Sequence, residues 1–250
     1  IAQRYPDRFE WIASIHPYRN DAVAALREAA RNGARAVKWL PPAQGMDPAS
    51  VLCDPFYQTA AELDIPLLIH AGAELAVHGG NTEDFGNPLR LRRPLDQGVR
   101  VIVAHCASLG RGIDLDVGPS GPRLSNFELF ARLMREPRYN HLLFGDISAI
   151  TQINRVGEAL ETVVKEEAWQ PRLINGSDYP LPGILPLFSL NQMQRHGYIK
   201  ESEAEVLSAI RQHNPLLFDF VLKRTLRVDG KGFGPAPFQT RAFFVEGVKS

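Results

Sequence analysis

Short apolar runs alternate with helix-period segments along most of the chain. Six runs have the length and the branched or aromatic content of buried strands. They are residues 9–17 (FEWIASIHP), 34–41 (ARAVKWLP), 65–72 (IPLLIHAG), 99–108 (VRVIVAHCAS), 141–149 (HLLFGDISA) and 172–180 (RLINGSDYP). Between them, segments such as residues 21–33 (DAVAALREAARNG) carry apolar residues at helical spacing. This alternation predicts an α/β fold of parallel strands joined by helical crossovers.

A polar residue stands near the carboxyl end of each of the last five runs. These residues are Lys38, His70, His105, Asp146 and Asp178, separated by 32, 35, 41 and 32 positions. A βαβ unit needs about 30 residues, so the spacing is that of successive units. Six units in an open sheet and eight in a closed barrel both fit this spacing.

Side-chain alternation favours the barrel, because every second residue of a barrel strand points inward. Alternation turns Trp39, Ile69, Ile102 and Ala104 outward, towards the helices, and so places the five polar residues on the inner side. Barrel enzymes have their chemistry at the carboxyl ends of the strands. We therefore expect the five polar side chains to converge there.

The residue types at these strand ends suit a metal site. Leu173 and Ile174 have the character of a protein interior, yet Asp178 follows them, and a buried carboxylate needs a partner, a cation or a proton. His70 and His105 could supply neutral nitrogen ligands beside it, a mixture that suits zinc or a similar divalent ion. Either histidine alone fits a core position equally well, and Asp178 could instead cap a helix or pair with an arginine.

The motifs PLLIHAG, VIVAHCAS and LINGSDYP, in that order and spacing, resemble the fifth, sixth and eighth strands of the amidohydrolase superfamily, in its branch of metal-dependent (β/α)8 enzymes. The resemblance runs from about Phe9 to Phe218. It implies a TIM barrel of which this chain carries strands three to eight, with His70, His105 and Asp178 at the metal and Asp178 as general base on the attacking water. The implied cofactor is a divalent ion, zinc or else manganese.

Lys38 lies on the fourth strand of that pattern. In some relatives a lysine there is carboxylated and bridges two metals, whereas in others the strand offers no ligand. An inward lysine could equally pair with a charged substrate or extend to the barrel mouth. All these roles stay open for Lys38.

The chain departs from the family pattern at one point. The family's first strand carries a His-x-His pair, and no such pair occurs in these residues, which begin with Ile1 rather than Met. We therefore expect that the first two strands of a longer protein are missing. The alternative is a natural variant that lost the pair and the normal metal affinity.

Two domain segments are predicted. Residues 1–222 would form the metal-dependent hydrolase barrel, incomplete at its N-terminus, and residues 223–250 a tail. Phe243, Phe244 and Val245 make the tail apolar, so we expect it to pack on the barrel or on a partner subunit of a homo-oligomer.

Four further residues are candidates for substrate binding. Asp146 and Ser148 could touch substrate or orient other groups, although a hydrogen-bonded strand end explains them equally well. Glu74 and His78 lie in a glycine-rich loop over the expected barrel mouth, where loops carry specificity, and simple solvent exposure is their alternative.

The composition of the chain limits the kinds of partner that it is expected to bind. Lys plus Arg (28) equals Asp plus Glu (28), so no basic field points to nucleic acid, and no stretch is apolar over the length of a bilayer. Cys53 and Cys106 are the only cysteines, which suits a reducing, cytoplasmic compartment. A small-molecule substrate is the expected partner.

The expected reaction is metal-dependent hydrolysis of an amide, ester or lactone. The sequence has no G-x-S-x-G nucleophile elbow and no G-x-G-x-x-G or P-loop pattern. One alternative is non-oxidative decarboxylation on the same metal barrel. Another, from a different class, is a barrel without catalysis that acts as a binding or scaffold module.

Overall fold

The six predicted strands are all present, each within its predicted range and shorter than it. The structure is a computed structural model that describes residues 1–2, 4–73 and 82–246. The six strands are β1 (Trp11–Ala13), β2 (Ala34–Trp39), β3 (Leu67–His70), β4 (Val101–Ala104), β7 (Leu143–Asp146) and β8 (Leu173–Ile174). The α/β prediction is therefore confirmed.

A small hairpin, absent from the prediction, interrupts the series after β4. It pairs β5 (Arg111–Ile113) with β6 (Arg123–Ser125) in antiparallel fashion. Glycine and proline content had made this region look like a plain loop, and the short strands carry too few apolar residues for a period-2 signal.

Helices follow most strands, as the alternation predicts. They are α1 (Ala22–Arg31), α2 (Pro41–Gln44), α3 (Asp54–Glu62), α4 (Arg92–Asp96), α5 (Asn126–Met134), α6 (Glu158–Lys165), α7 (Leu190–Arg195), α8 (Glu201–His213), α9 (Pro215–Thr225) and α10 (Thr240–Glu246). Helix α1 shows the pattern that produces them: Ala22, Leu26 and Ala29 form its buried stripe at helical spacing.

The chain divides into two compact units, one of residues Ile1–Gly145 with Arg241–Ser250 and one of residues Asp146–Thr240. In the first unit, β1, β2, β3, β4 and the start of β7 are hydrogen-bonded in that order, and every neighbouring pair is parallel. Trp39, Ile69 and Val103 lie in register on adjacent strands and are fully buried. The predicted outward side of β2 and β3 is confirmed at Trp39, whose ring lies 5.1 Å from that of Phe56 on α3.

The C-terminal segment of the first unit also makes aromatic contacts. The ring of Phe243 lies 4.7 Å from that of Phe144 on β7, edge to face. The guanidinium of Arg100, the residue just before β4, lies 4.8 Å from the centre of the Phe243 ring. The Phe243 ring therefore contacts both the ring of Phe144 and the guanidinium of Arg100. The tail boundary at 222 and the homo-oligomer stay predictions.

The second unit has its own apolar interior. Leu160 and Val163 of α6, Leu207 of α8, and Phe218 and Leu222 of α9 are each at most 1% exposed. The backbone N–H of Ile147, just beyond β7, donates to the carbonyl of Ile174 at the end of β8 over 2.9 Å. This bond ties the two strand ends of the unit together.

Trp39 should dominate the stability of the first unit. Its indole is fully buried and donates to the carbonyl of Ile15 over 2.6 Å. Trp39→Phe leaves that carbonyl without its donor and opens a cavity, so the free energy of unfolding should fall by about 2–4 kcal/mol. Denaturant unfolding followed by circular dichroism measures this.

Trp11→Phe is the matched control, because the Trp11 indole also donates to a backbone carbonyl, that of Asn32, at an exposed site. Its cost should stay below about 1 kcal/mol. Equal losses in the two variants would contradict the central place given to Trp39.

Acid should weaken the first unit partly through Asp114. Arg132 on α5 donates to both oxygens of this carboxylate over 2.7 and 2.8 Å, and the bonds hold its pKa below the usual value. A folded-state pKa below the unfolded one gives stability that is complete above the unfolded pKa, about 4, and is lost as pH falls through the folded pKa. The stability difference between the parent and Asp114→Asn should therefore shrink between pH 6 and pH 3.

Unfolding curves at a series of pH values test this, with Asp7→Asn, at an exposed position, as the control. The control should follow the parent at every pH. A parent-to-Asp114→Asn difference that is constant over the range would refute the role of the Arg132 pair.

Candidate metal centre

His70 and His105 lie side by side at the carboxyl ends of β3 and β4. Their ring centres are 5.5 Å apart, with an angle of 67° between the ring planes. Both are buried, His70 at 6% exposed and His105 at 7%. The prediction that these two histidines meet is therefore fulfilled in the first unit. An open sheet in which the two histidines lie far apart is excluded.

The route by which His105 reaches His70 differs from the predicted one. Register pairs His70 with Ala104, and residues in register on parallel strands share a face, so Ala104 and Ile102 lie on the His70 side. The expectation that they face outward, away from His70, is wrong. His105 does not continue the strand, because its φ of +54° belongs to the left-handed region. A turn, and not strand alternation, directs its ring towards His70.

The left-handed turn spans three residues, His105, Cys106 and Ala107, with φ values of +54°, +51° and +50°. None is glycine, so each pays a steric cost of about 1–3 kcal/mol that the surroundings must offset. Gly72 makes room for this turn: a Cβ there would lie 2.7 Å from the carbonyl oxygen of Leu109 and 3.3 Å from that of Ala107. Strained backbone of this kind concentrates at functional sites.

One ring nitrogen of His70 has a backbone partner. Its Nε2 lies 3.2 Å from the carbonyl oxygen of Ala73. A carbonyl oxygen can only accept, so Nε2 is the donor in this contact. A carbonyl bound to one nitrogen is the usual way in which a metal-ligating histidine is oriented.

Lys38 is on the same face of the sheet as His70. In register it pairs with Leu68, which stands two residues before His70 on β3, while Trp39 and Ile69 occupy the other face. Its side chain is half-buried. The predicted inward direction of Lys38 thus agrees with the register, and its chemical role stays a prediction.

In the second unit, Asp146 and Ser148 are bound to each other. Asp146, the last residue of β7, accepts the backbone N–H of Ser148 over 2.9 Å, and its other oxygen accepts the Ser148 hydroxyl. The same carboxylate accepts the N–H of Gly176 over 3.1 Å. Asp146 is 7% exposed and Ser148 3%. These bonds are those of a hydrogen-bonded strand end, and the predicted substrate-binding or orienting role of Asp146 and Ser148 stays a prediction.

Asp178 is exposed, contrary to the expected buried carboxylate. Strand β8 ends at Ile174, four residues earlier, and Leu173 and Ile174 are buried as predicted. Asp178 itself has a φ of +54°, again in the left-handed region. The apolar run therefore supports the segment that carries the carboxylate, and the carboxylate reaches solvent.

A buried ion pair behind this segment was missed from the sequence. Lys223 and Asp219, one helical turn apart on α9, are 0% and 1% exposed, and Lys223 Nζ donates to Asp219 Oδ2 over 2.7 Å. Burial raises the pKa of Asp219, while Lys223 opposes the rise and the charges of Asp146 and Asp178 add to it. An Asp and a Lys four residues apart in a helix are common on surfaces, so spacing alone gave no signal.

Glu74 and His78 lie outside the described residues, and their roles stay predictions. Among the residues that the structure does describe, no group of three or more His, Cys, Asp and Glu side chains is arranged to hold a metal. Nor does any helix in that part of the chain have the length and apolar character needed to cross a bilayer.

The His70–His105 pair fits two ligands of a divalent cation. Both rings are buried and adjacent, one is oriented by a carbonyl, and imidazole nitrogen is an ordinary ligand of such ions. Two imidazoles do not complete the coordination of such an ion, which takes four or more donors. A metal site built on this pair would need further donors.

Comparison with known proteins agrees with this chemistry. The family model described as amidohydrolase matches residues 1–215. No curated protein has detectable similarity to the chain.

Among solved structures, an uncharacterised TIM-barrel protein from Bordetella bronchiseptica superposes with a TM-score of 0.52 at 20% identity, covering 85% of this chain and 70% of that one. A candidate 2-pyrone-4,6-dicarboxylic acid hydrolase from Pseudomonas putida gives 0.52 at 16% identity, covering 99% and 76%. These two likenesses establish the fold, that of TIM-barrel proteins.

A 5-carboxyvanillate decarboxylase from Novosphingobium aromaticivorans, solved with manganese, gives a lower TM-score of 0.47 at 19% identity, covering 72% of this chain and 56% of that one. The assignment of the chain does not depend on it, since the family model alone matches 215 of the 250 residues. The chain therefore belongs to the amidohydrolase family of enzymes.

Proposed function

We propose that the protein is a metal-dependent hydrolase in which His70, His105 and Asp178 hold a divalent cation. The observation that carries the proposal is the pair of buried imidazoles, 5.5 Å apart, at the ends of β3 and β4 in a chain of the amidohydrolase family. The inclusion of Asp178 rests on its motif, LINGSDYP. Nitrogen ligands with a carboxylate favour zinc, and manganese is the alternative.

The chemistry divides between the ion and the chain. When bound, such a cation would lower the pKa of a water molecule to about 7 and would polarise a carbonyl group. Asp178 takes the proton of the attacking water and passes it to the leaving group. Asp178 is an exposed residue, and a general base acting on water must be reachable from solvent.

The other predicted residues have distinct parts in the proposal. Asp146 and Ser148 orient the strand end through their hydrogen bonds to each other and to Gly176. Lys38, on the His70 face of the sheet, would help to hold a second metal in carboxylated form or would pair with an anionic substrate. Glu74 and His78 are proposed as substrate contacts because their loop directly follows β3.

The proposed substrate is a small molecule with an amide, ester or lactone carbonyl. Lactones bearing carboxylates are the first compounds to test, because the Pseudomonas protein with a similar fold is a candidate hydrolase of a pyrone dicarboxylate. We also propose a cytoplasmic location, supported by two buried cysteines without a disulfide, Cys53 and Cys106.

Metal content is the direct test of the site. After dialysis against metal-free buffer, the protein should retain zinc or manganese, and His105→Ala should weaken the affinity by at least about 10–100-fold because a ligand is lost. Elemental analysis and titration with Zn²⁺ measure this. A form extended upstream to include a His-x-His pair, where the gene encodes one, should bind more tightly.

His141→Ala is the control, since His141 is an exposed histidine just before β7. It should bind metal like the parent. If the folded parent and the extended form both lose all metal on dialysis, the pair at β3 and β4 is structural and the protein is a binding or scaffold module.

Replacement of Asp178 by asparagine separates the base from the ligand. Asparagine keeps an oxygen donor and cannot accept the proton, so kcat should fall by about 10²–10⁴-fold at saturating metal. Steady-state hydrolysis of the lactone panel, with metal content measured on the same samples, tests this.

If the protein releases carbon dioxide from a substrate without taking up water, it is a decarboxylase and the hydrolase proposal is wrong. Unchanged kcat in Asp178→Asn, with metal bound, would remove Asp178 from the role of base.

A further inference from the structure

Two cations are buried in the second unit on neighbouring helices, Lys223 on α9 and Arg211 on α8. Lys223 is 0% exposed and Arg211 9%. Removing a cation from water costs free energy unless its N–H donors are hydrogen-bonded. Each of the two should therefore have partners that offset the cost of its burial. Apart from Asp219, which pairs with Lys223, their hydrogen-bond partners lie on either side of Asp178 in the chain.

Lys223 holds the residues just before Asp178. Its Nζ donates to the carbonyl of Gly176 over 2.8 Å and to Asn175 Oδ1 over 3.2 Å, besides its bond to Asp219. The N–H of the same Gly176 donates to Asp146 over 3.1 Å. Both polar groups of Gly176 are therefore held by charged side chains.

Gly176 has no room to carry a side chain. A Cβ at this position would lie 2.8 Å from Asp146 Oδ1 and 3.2 Å from Ser148 Cβ. Asp178 follows two residues later. The direction in which the chain leaves β8 is thus fixed two residues ahead of the carboxylate.

Arg211 holds the residues just after Asp178. Its guanidinium donates to the carbonyls of Pro182 over 3.1 Å, Ile184 over 2.9 Å and Phe188 over 3.0 Å. The ring of Phe218 lies 4.9 Å from it. One planar group with five N–H donors can bind several carbonyls of an irregular loop at once, which a lysine cannot do in the same geometry.

We propose that Lys223 and Arg211, here called the cation clamp, are positioning residues for Asp178. They hold residues 175–176 and 182–188, and the exposed, left-handed Asp178 lies between the two held stretches. The clamp rests on the proposed function in one respect, that the carboxylate of Asp178 does the chemistry. Beyond the proposed function, the clamp identifies the side chains that fix the position of this carboxylate.

The Asp219 partner shapes the choice of variant. Lys223→Met alone would leave a carboxylate buried without its cation, and the protein could fail to fold for that reason. Lys223→Met with Asp219→Leu removes both charges and keeps the volume, an exchange that buried ion pairs often tolerate. Arg211→Lys keeps the charge and loses the planar fork.

The experiment compares these two variants with the parent protein at saturating Zn²⁺. Amide hydrogen exchange is measured by mass spectrometry over residues 176–188 and over α6 as a reference, and kcat and KM are measured on the lactone panel. The matched control is Lys231→Met with Glu167→Gln, which removes an ion pair of 2.8 Å in the same unit at an exposed site.

Exchange over residues 176–188 should rise about 10-fold or more in both clamp variants, with α6 within about 2-fold of the parent. The kcat should fall about 10–100-fold with KM nearly constant, because misplacement of a reacting group acts on the transition state. The control should match the parent in all these measurements.

Unchanged exchange over residues 176–188 overturns the clamp. So does a loosened segment with unchanged kcat, because Asp178 would then not need these supports. A parent protein without metal-dependent turnover defeats the proposed function and not the clamp, which the exchange comparison then decides by itself.

Discussion

Parallel pairing of β2, β3 and β4 is the constraint on which the first unit depends. In a parallel ladder, residues in register share a face, and all carboxyl ends lie at one edge. Trp39, Ile69 and Val103 make one fully buried row, and the adjacent row contains Lys38 and Leu68. The same hydrogen bonds that hide the apolar row therefore bring Lys38 and His70 onto the other face of the sheet.

The ladder alone does not place His105. Continued as a strand, this residue would point to the face opposite His70, and the left-handed backbone at 105–107 reverses that direction. Three non-glycine residues in this region together cost several kcal/mol, by the usual figure of about 1–3 kcal/mol each. The offset comes from full burial of Cys106 and Ala107, each at most 1% exposed, and from the close approach of Gly72.

The sequence was informative where the signal is local. Apolar runs located all six strands, because a buried parallel strand needs a continuous apolar segment whatever packs against it. The same local pattern predicted that His70 and His105 lie close together, but for a partly wrong reason. Strand alternation was extended one residue too far, into a turn for which the run contains no sequence signal. The exposure of Asp178 was missed likewise, since β8 is only two residues long.

The sequence could not predict the role of Lys223, Asp219 and Arg211, because that role depends on their burial in the folded protein. In a helix an acid and a base four residues apart are normally solvated, and an isolated arginine on an amphipathic helix normally faces water. Here the fold removes all three from solvent. The cost is offset by the Lys223–Asp219 pair and, for the two cations, by carbonyl oxygens of the irregular segment around Asp178. An apolar side chain could fill the same space, but it could not bind the carbonyl oxygens that such a segment leaves unpaired. The polar backbone of the loop is therefore the reason that cations, and not hydrophobic residues, support it.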